Sequence, residues 1–329
     1  MRELNEKLSV PGLELKNRLV LPPMATSRCG ESGRVTDDLL AYYDEKAAGG
    51  YFSMIITEHC YISKAGQAGE GQMSISLDSD VEGLKRLVDV IHKHGTLAVA
   101  QINHAGGMAK REITGLGNMG PSAVEVMSGR MTERAMDEDD IRRVTEEFAA
   151  AARRAKAAGY DGVEIHSAHR YLLNEFYSPL TNKRSDQYGG DVNGRIRLHL
   201  EVIDAVRKET GAGYPLLLRL GALDYMEGGN EIADAVAAAR AFEKAGVNLL
   251  DISGGMCGYV VPGRESVPGY FSDASEAIRQ AVKIPVLLTG GITTPEQADQ
   301  LLSEGKADLI GVGRAVLKDS EWARRAIGR

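Results

Sequence analysis

Eight short apolar runs recur along the chain, LVLPPMA, FSMIITE, TLAVAQI, GVEIH, PLLLRL, NLLDIS, PVLLTG and ADLIGVG, with longer helix-patterned segments between them. Each run is continuously apolar rather than alternating, which is the pattern of strands buried on both faces of a parallel sheet. The joints from helix into strand repeat as well. KAAGGYFSMIIT, KHGTLAVAQI, KAAGYDGVEIH, KAGVNLLDIS and EGKADLIGVG each close a helix on small or basic residues and a glycine, then enter the next strand at once. Right-handed crossovers place every such helix on the outside, so eight strand–helix units with uniform short joints predict an α/β fold, a closed (β/α)8 TIM barrel. The rival architecture is a doubly wound open sheet. That fold usually has fewer strands and an early glycine-rich turn, and no GxGxxG follows the first strand here.

The connecting segments carry further signals. Ser79 with Glu82 and Thr294 with Gln297 read as capping boxes, the second with Pro295 at the first helical position. The opening stretch MRELNEKLSVPGLELKN alternates around Pro11-Gly12 and predicts a hairpin closing the barrel floor. Three connections leaving strands at their C-terminal ends are long, over residues 106–137, 176–193 and 254–273. This predicts extended loops at the C-terminal face, where barrels carry their chemistry. A barrel with such insertions accounts for all 329 residues, so one domain over 1–329 is expected. The 38 glycines, set against 5 Phe and 1 Trp, suit many short elements with close backbone approaches.

Charge and cysteine usage narrow the partners. The formal charge of −7 and a sequence pI near 5.6 argue against non-specific affinity for nucleic acid or an anionic membrane, and favour a small-molecule substrate. Cys29, Cys60 and Cys257 are odd in number and widely spaced, with no CxxC pair to hold zinc or an iron–sulfur cluster. The N-terminus lacks the apolar centre of a signal peptide, and no run of about 18 apolar residues occurs. A cytoplasmic, soluble protein is expected, with homo-oligomerisation open.

The strongest local constellation is His166-Ser167-Ala168-His169-Arg170-Tyr171, directly after the fourth apolar run. Two imidazoles, a guanidinium and a phenol lie where barrel strands deliver catalytic groups. The plainer reading has one histidine capping the strand and Tyr171 packed in the core. A metal reading needs a third ligand, for which His104 and Glu164 are the candidates, but no carboxylate or cysteine set completes a site, and none is expected. The second constellation is Thr289-Gly290-Gly291-Ile292 with Gly311-Val312-Gly313-Arg314. Barrels commonly bind phosphate after strands seven and eight, and Arg314 adds a bidentate donor, so a phosphorylated ligand is expected at this rim. Gln101, Arg219 and Pro23-Met24-Ala25-Thr26 project into the same space. Gln101 offers both donor and acceptor to a heterocycle edge. Arg219 either stabilises charge on that heterocycle or closes a salt bridge inside the barrel with a neighbour such as Glu164.

Taken in order, NRLVLPPMAT, IITEH, QINHAG, HSAHRYLLNEFYSPLTNKRSDQYGG, LLLRL, DISGG, LLTGGI and ADLIGVGRAVL resemble the Old Yellow Enzyme family of FMN-dependent ene-reductases over nearly the whole chain. The resemblance implies an FMN-filled barrel reduced by NADH or NADPH. Pro23, Ala25 and the backbone near His59 would line the isoalloxazine, Gln101 its pyrimidine edge and Arg219 its N1/O2 side. Gly290, Gly291, Gly313 and Arg314 would hold the phosphate. His166 and His169 match the pair that binds the activating oxygen of an α,β-unsaturated substrate, and Tyr171 the proton donor. Ping-pong turnover in one shared pocket follows.

Three positions depart from the family pattern. Arg170 stands where glycine is usual, Gly107 where an arginine commonly follows HAG, and Gly194 in place of the asparagine of ENR. The first places a cation at the expected substrate site, and points to carboxylate-bearing substrates such as linear tetrapyrroles; the plainer reading sends Arg170 to an Asp or Glu of the rim. Larger members add an iron–sulfur cluster and a nucleotide-binding domain. The end at Arg329 and the lack of cysteine clusters imply electrons taken directly from NAD(P)H or another protein. Ala25 lacks the redox-tuning cysteine of the shorter class. The competing functions are an FMN barrel dehydrogenase acting on a C–N or saturated C–C bond, and a flavin-free binding barrel.

Overall fold

The structure is a computed structural model that describes residues 3–328. Each of the eight apolar runs forms the whole or the larger part of a barrel strand: β1 Leu19–Leu21, β2 Met54–Ile56, β3 Leu97–Asn103, β4 Gly162–Ser167, β5 Leu216–Leu223, β6 Leu249–Gly254, β7 Val286–Thr289 and β8 Leu309–Gly311. All neighbours pair in parallel, and β8 returns to β1 to close the ring. A two-residue strand, Cys60–Tyr61, adds to the side of β3. Between successive strands lie α1 Asp37–Ala47, α2 Val81–His92, α3 Glu138–Ala157, α4 Arg197–Thr210, α5 Ile232–Ala245, α6 Ser272–Ala281 and α7 Pro295–Ser303, with the short α8 Arg314–Lys318 after β8. The closed (β/α)8 TIM barrel expected from the sequence is therefore the fold.

Two apolar clusters hold it together. The larger lies between the outer face of the strands and the helices, and includes Phe148, Phe176, Phe242 and Phe271. The smaller fills the barrel itself with Val20, Met54, Ile56, Val99, Leu217, Leu249, Leu287 and Leu309, all buried. The N-terminal hairpin, Leu8–Val10 against Leu13–Leu15, plugs this end by contributing Val10, Leu13 and Leu15 to the same cluster. Side chains two residues apart on a strand share a face. Two residues further along, Val99 is followed by Gln101, Leu217 by Arg219, Leu249 by Asp251 and Leu287 by Thr289. The interior thus passes from aliphatic to polar within one step of the pleat.

The helix starts are partly as expected. Thr294 caps α7, with its hydroxyl accepting from Gln297 N–H at 3.3 Å and Gln297 Oε1 accepting in return from Thr294 N–H at 3.2 Å. The Ser79/Glu82 box does not form. A single 3-10 turn, Asp78–Asp80, precedes α2, and Asp80 Oδ2 accepts from Leu77 N–H at 3.0 Å. The Ser74 hydroxyl donates to the same oxygen at 2.7 Å, so the short aspartate arm governs the entry.

The long loops crown the C-terminal ends of the strands. The one after β3 holds the hairpin Glu125–Met127/Arg130–Met131, and the one after β4 begins with a short helix, Leu172–Tyr177. No described helix is long and apolar enough to cross a membrane.

Candidate active site

At the end of β4 the chain makes a tight turn that the sequence alone did not foretell. His169 and Arg170 both lie in the left-handed region, with φ of +60° and +68°, where a side chain costs roughly 1–2 kcal/mol. Three hydrogen bonds hold the turn: His169 N–H to Gly254 O at 3.2 Å, Arg170 N–H to Asn174 Oδ1 at 2.8 Å, and Tyr171 N–H to Ala168 O at 3.2 Å. The turn folds His169 and Tyr171 back beside His166. Ring centroids are 5.2 Å apart for His166–His169 and 5.2 Å for His166–Tyr171. His59, from the loop after β2, completes the group at 5.4 Å from Tyr171 and 6.1 Å from His166.

The protonation states follow from the surroundings. Burial holds His59 down to about 4, with the Arg219 charge adding to the effect. Burial, then a neighbouring imidazole or the Arg219 cation, keeps His166 and His169 well below the ordinary histidine value. Burial pushes the Tyr171 phenol up to about 12. At neutral pH the group comprises three neutral imidazoles and a protonated phenol, all hydrogen-bond donors without net charge. His169 Nε2 lies 2.7 Å from Ser253 Oγ, while His166 Nδ1 is buried with no partner.

Below them the polar interior is ordered by register. Gln101 pairs with Glu164, and His166, Arg219 and Asp251 lie level on adjacent strands. Gln101 Nε2 donates to Glu164 Oε1 at 2.8 Å, which fixes the amide and leaves its carbonyl oxygen free to accept. Arg219 Nε meets Asp251 Oδ2 at 3.1 Å, so its ion pair is with Asp251 and not with Glu164. Burial raises both carboxyls, Asp251 to about 6 and Glu164 well above the carboxylate range. Buried polar atoms without a hydrogen-bond partner gather here: Asn103 Oδ1, Glu164 Oε2, His166 Nδ1 and both Asp251 oxygens. Such atoms are rare in a finished core, and their concentration at one end of the barrel marks a place built to receive a polar ligand.

The expected phosphate rim is also brought together. Thr289 pairs with Gly311, which sets the ends of β7 and β8 side by side. Gly290 and Gly291 have φ of +107° and +70°, and a Cβ on Gly290 would stand 2.6 Å from the Tyr270 ring. The exposed Arg314 donates to the Tyr270 hydroxyl at 2.8 Å. A Cβ on Gly313 would stand 2.5 Å from Met24 Sδ, which joins this rim to the Pro23–Ala25 segment after β1. His104 does not join the imidazole group; its Nδ1 accepts from Gly106 N–H at 3.0 Å. Among the described residues, no three His, Cys, Asp or Glu side chains are grouped to hold a metal.

The sequence profile of the NADH:flavin oxidoreductase / NADH oxidase family matches residues 4–328. The chain belongs to that family. It is 38% identical over 317 residues to a metal reductase of Desulforamulus reducens, covering 96% of this chain but 47% of that protein. It is 39% identical over 327 residues to an NADPH dehydrogenase of Bacillus licheniformis, covering 99% of this chain and 94% of that one. The chain therefore spans about half the length of the first relative and nearly all of the second. Its fold matches an old yellow enzyme homologue from Zymomonas mobilis with a TM-score of 0.85 and 28% identity, over 98% of this chain and 91% of the other. FMN is the cofactor that membership of this family implies.

The donor set suits a flavin. Its pyrimidine edge carries an N–H flanked by two carbonyls, and the interior offers both the free Gln101 carbonyl and the Arg219 guanidinium. Several side chains that bond the expected site residues were not legible in the sequence. Ser253 orients His169, Tyr270 ties Gly290 to Arg314, and Gln72 and Asn103 bond His59. Their only sequence mark is a place in the loops or strand ends around the mouth. The family's missing arginine also has a steric cause: a Cβ on Gly107 would stand 2.3 Å from Thr132 Oγ1 and 2.7 Å from Val126 Cγ2, so the rim hairpin occupies that space.

Proposed function

We propose that this protein, as a single barrel domain over 1–329, reduces an activated C=C bond with electrons from NADH or NADPH, by a ping-pong mechanism in one pocket. The observation that supports it most is the uncharged donor group of His166, His169 and Tyr171 above a polar interior containing Gln101 and Arg219. On this reading Pro23, Ala25 and the backbone of His59 line the flavin ring, Gln101 and Arg219 meet its polar edge, and Gly290, Gly291, Gly313 and Arg314 hold its phosphate. Bound FMN supplies the hydride chemistry.

The chain's own residues supply the rest. His166 and His169 donate N–H groups to the substrate carbonyl oxygen and stabilise the negative charge that develops there, as an oxyanion site does. Neutral imidazoles suit this role because they donate without neutralising the substrate beforehand. Tyr171 delivers its proton to the substrate Cα, and a phenol raised to about 12 keeps that proton until the carbanion forms.

Arg170 refines the substrate class. Its Nε donates to Met256 O at 2.7 Å and its Nη1 lies 3.7 Å from Met127 Sδ, and it forms no ion pair among the described residues. The expected alternative, a rim carboxylate partner, is absent from that set. An unpaired guanidinium next to His169 favours substrates that carry a carboxylate, with linear tetrapyrroles as one such class.

The test separates the half-reactions under anaerobic conditions. NAD(P)H should bleach the bound flavin and an enone should restore its colour. Tyr171→Phe should slow the second step about 10²-fold and leave the first intact. A colourless protein that takes up no FMN sinks the proposal. Flavin reduction by an amine or a saturated substrate, without response to an enone, supports the dehydrogenase alternative. Arg170→Gly should lower the rate on acidic enones relative to neutral ones, and an unchanged ratio removes Arg170 from substrate recognition.

A further inference from the structure

The imidazole of His59 is held more firmly than a residue contributing only backbone to a ligand site would require. Gln72 Nε2 lies 2.8 Å from His59 Nδ1 and also donates to His59 O at 3.2 Å. The orientation of that amide is set independently, because Gln72 Oε1 accepts from Ala68 N–H at 2.7 Å. Asn103 Nδ2 approaches the same Nδ1 at 3.2 Å. An amide nitrogen only donates, so two donors converge on His59 Nδ1, and Nδ1 must present a lone pair. The single proton of the neutral ring then sits on Nε2. A proton on Nδ1 would confront both amides with another N–H.

This locked ring borders Tyr171. The two rings are 5.4 Å apart and inclined by 33°, while His166 flanks the phenol at 5.2 Å and 70°. The Tyr171 hydroxyl has no hydrogen bond within the described residues, so its direction is set by the rings around it. With Nδ1 occupied by Gln72 and Asn103, and Nε2 carrying a proton, His59 has no lone pair left to accept from that hydroxyl.

We propose that Gln72 and Asn103 lock His59 as its Nε2–H tautomer so that the Tyr171 proton is kept for the substrate, which makes His59 a positioning residue of the proton-donating half of the site. The proposal rests on Tyr171 as the proton donor. It does not need His59 to change charge or to touch the reacting atoms. Reversing the lock would leave Nε2 with a lone pair on a ring that borders the phenol, a local acceptor in competition with the substrate carbon.

The test combines a spectroscopic and a kinetic reading on the FMN-loaded protein. With ¹⁵N-labelled histidine, NMR should find His59 with its proton on Nε2 and no titration between about pH 5.5 and 8. Gln72→Glu, which places an acceptor opposite Nδ1, should move the proton to Nδ1 and slow flavin reoxidation by an enone about tenfold, with reduction by NAD(P)H unchanged. Gln72→Leu removes the donor without adding charge, and should give mixed tautomers and a smaller loss if the glutamate variant does not fold. A wild-type ring protonated on Nδ1 overturns the proposal. So does a tautomer that moves without any change in the enone step. Tyr171→Phe separates the two readings. If that variant is slow while Gln72→Glu moves the tautomer at full speed, the His59 proposal fails alone; if Tyr171→Phe is fast, proton donation by Tyr171 fails and takes the proposal with it.

Discussion

The two ends of the barrel are built from the same strands and obey opposite rules. At the floor, Leu217, Leu249, Leu287 and Leu309 join the hairpin residues Val10, Leu13 and Leu15 in one buried apolar cluster. Two residues further along, Arg219 and Asp251 stand level with His166, and unpartnered buried polar atoms appear. Burying a leucine contributes about 1.5–3 kcal/mol, whereas a buried polar atom without a partner costs about 1–3 kcal/mol. The floor therefore stabilises the ring, and the mouth draws on that stability. The left-handed pair His169–Arg170 belongs to the same division, since strain is tolerated where a rigid frame over-determines it.

The sharpest way to break this division is to weaken the floor alone. Leu217→Ala removes buried methyl groups from a packed ring and should cost about 2–5 kcal/mol of stability, measured by urea unfolding. The spectrum of bound FMN and both half-reactions below the melting range should stay as in the wild type. A variant with normal stability and an altered flavin would show that floor and mouth are one unit. The converse change is Tyr171→Phe, which should lower the enone step about 10²-fold, equivalent to roughly 3 kcal/mol, and leave the unfolding midpoint within about 0.5 kcal/mol.

The contrast also explains what was readable in advance. The strands, the floor hairpin and the Thr294 cap depend on residues close in sequence and on one repeating pattern, and each was legible. His166, His169 and Tyr171 were legible for the same reason, because one turn of six residues delivers all of them. The bonds that surround them join different strands and loops. Ser253 reaches His169 over 84 positions and Asn103 reaches His59 over 44, and no local pattern encodes such pairs. The Ser79 cap does not form because the helix is entered earlier, through the 3-10 turn over 78–80 in which Asp80 Oδ2 accepts from Leu77 N–H.

A smaller effect tests the mouth's cost directly. Glu58 is buried beside the site, where Thr26 donates to Oε2 at 2.7 Å and the Tyr43 hydroxyl takes the backbone N–H at 2.8 Å. Burial raises its carboxyl from 4.5 to about 7, against the lowering effect of Thr26. The folded value lies above the unfolded one, so the contribution is fully favourable below about pH 4.5 and is lost as pH rises through about 7. Glu58→Gln, neutral throughout, should match the wild type near pH 4.5 and exceed it by about 1–3 kcal/mol above pH 7. Parallel stability curves at all pH values would place Glu58 outside the polar mouth in energetic terms.

The smallest expected effect concerns Arg170, where conformation and recognition pull in opposite directions. Its φ of +68° favours glycine, and Arg170→Gly removes the Cβ that makes this backbone costly. The side chain's one strong contact is the bond from Nε to Met256 O at 2.7 Å, partly exposed and therefore worth about 0.5–1.5 kcal/mol. Relief of left-handed strain, roughly 1 kcal/mol, offsets that loss. Unfolding should thus shift by less than about 1 kcal/mol while the preference for acidic over neutral enones falls. A destabilisation above about 2 kcal/mol would mean that the guanidinium anchors the loop after β6, and would move Arg170 from recognition to architecture.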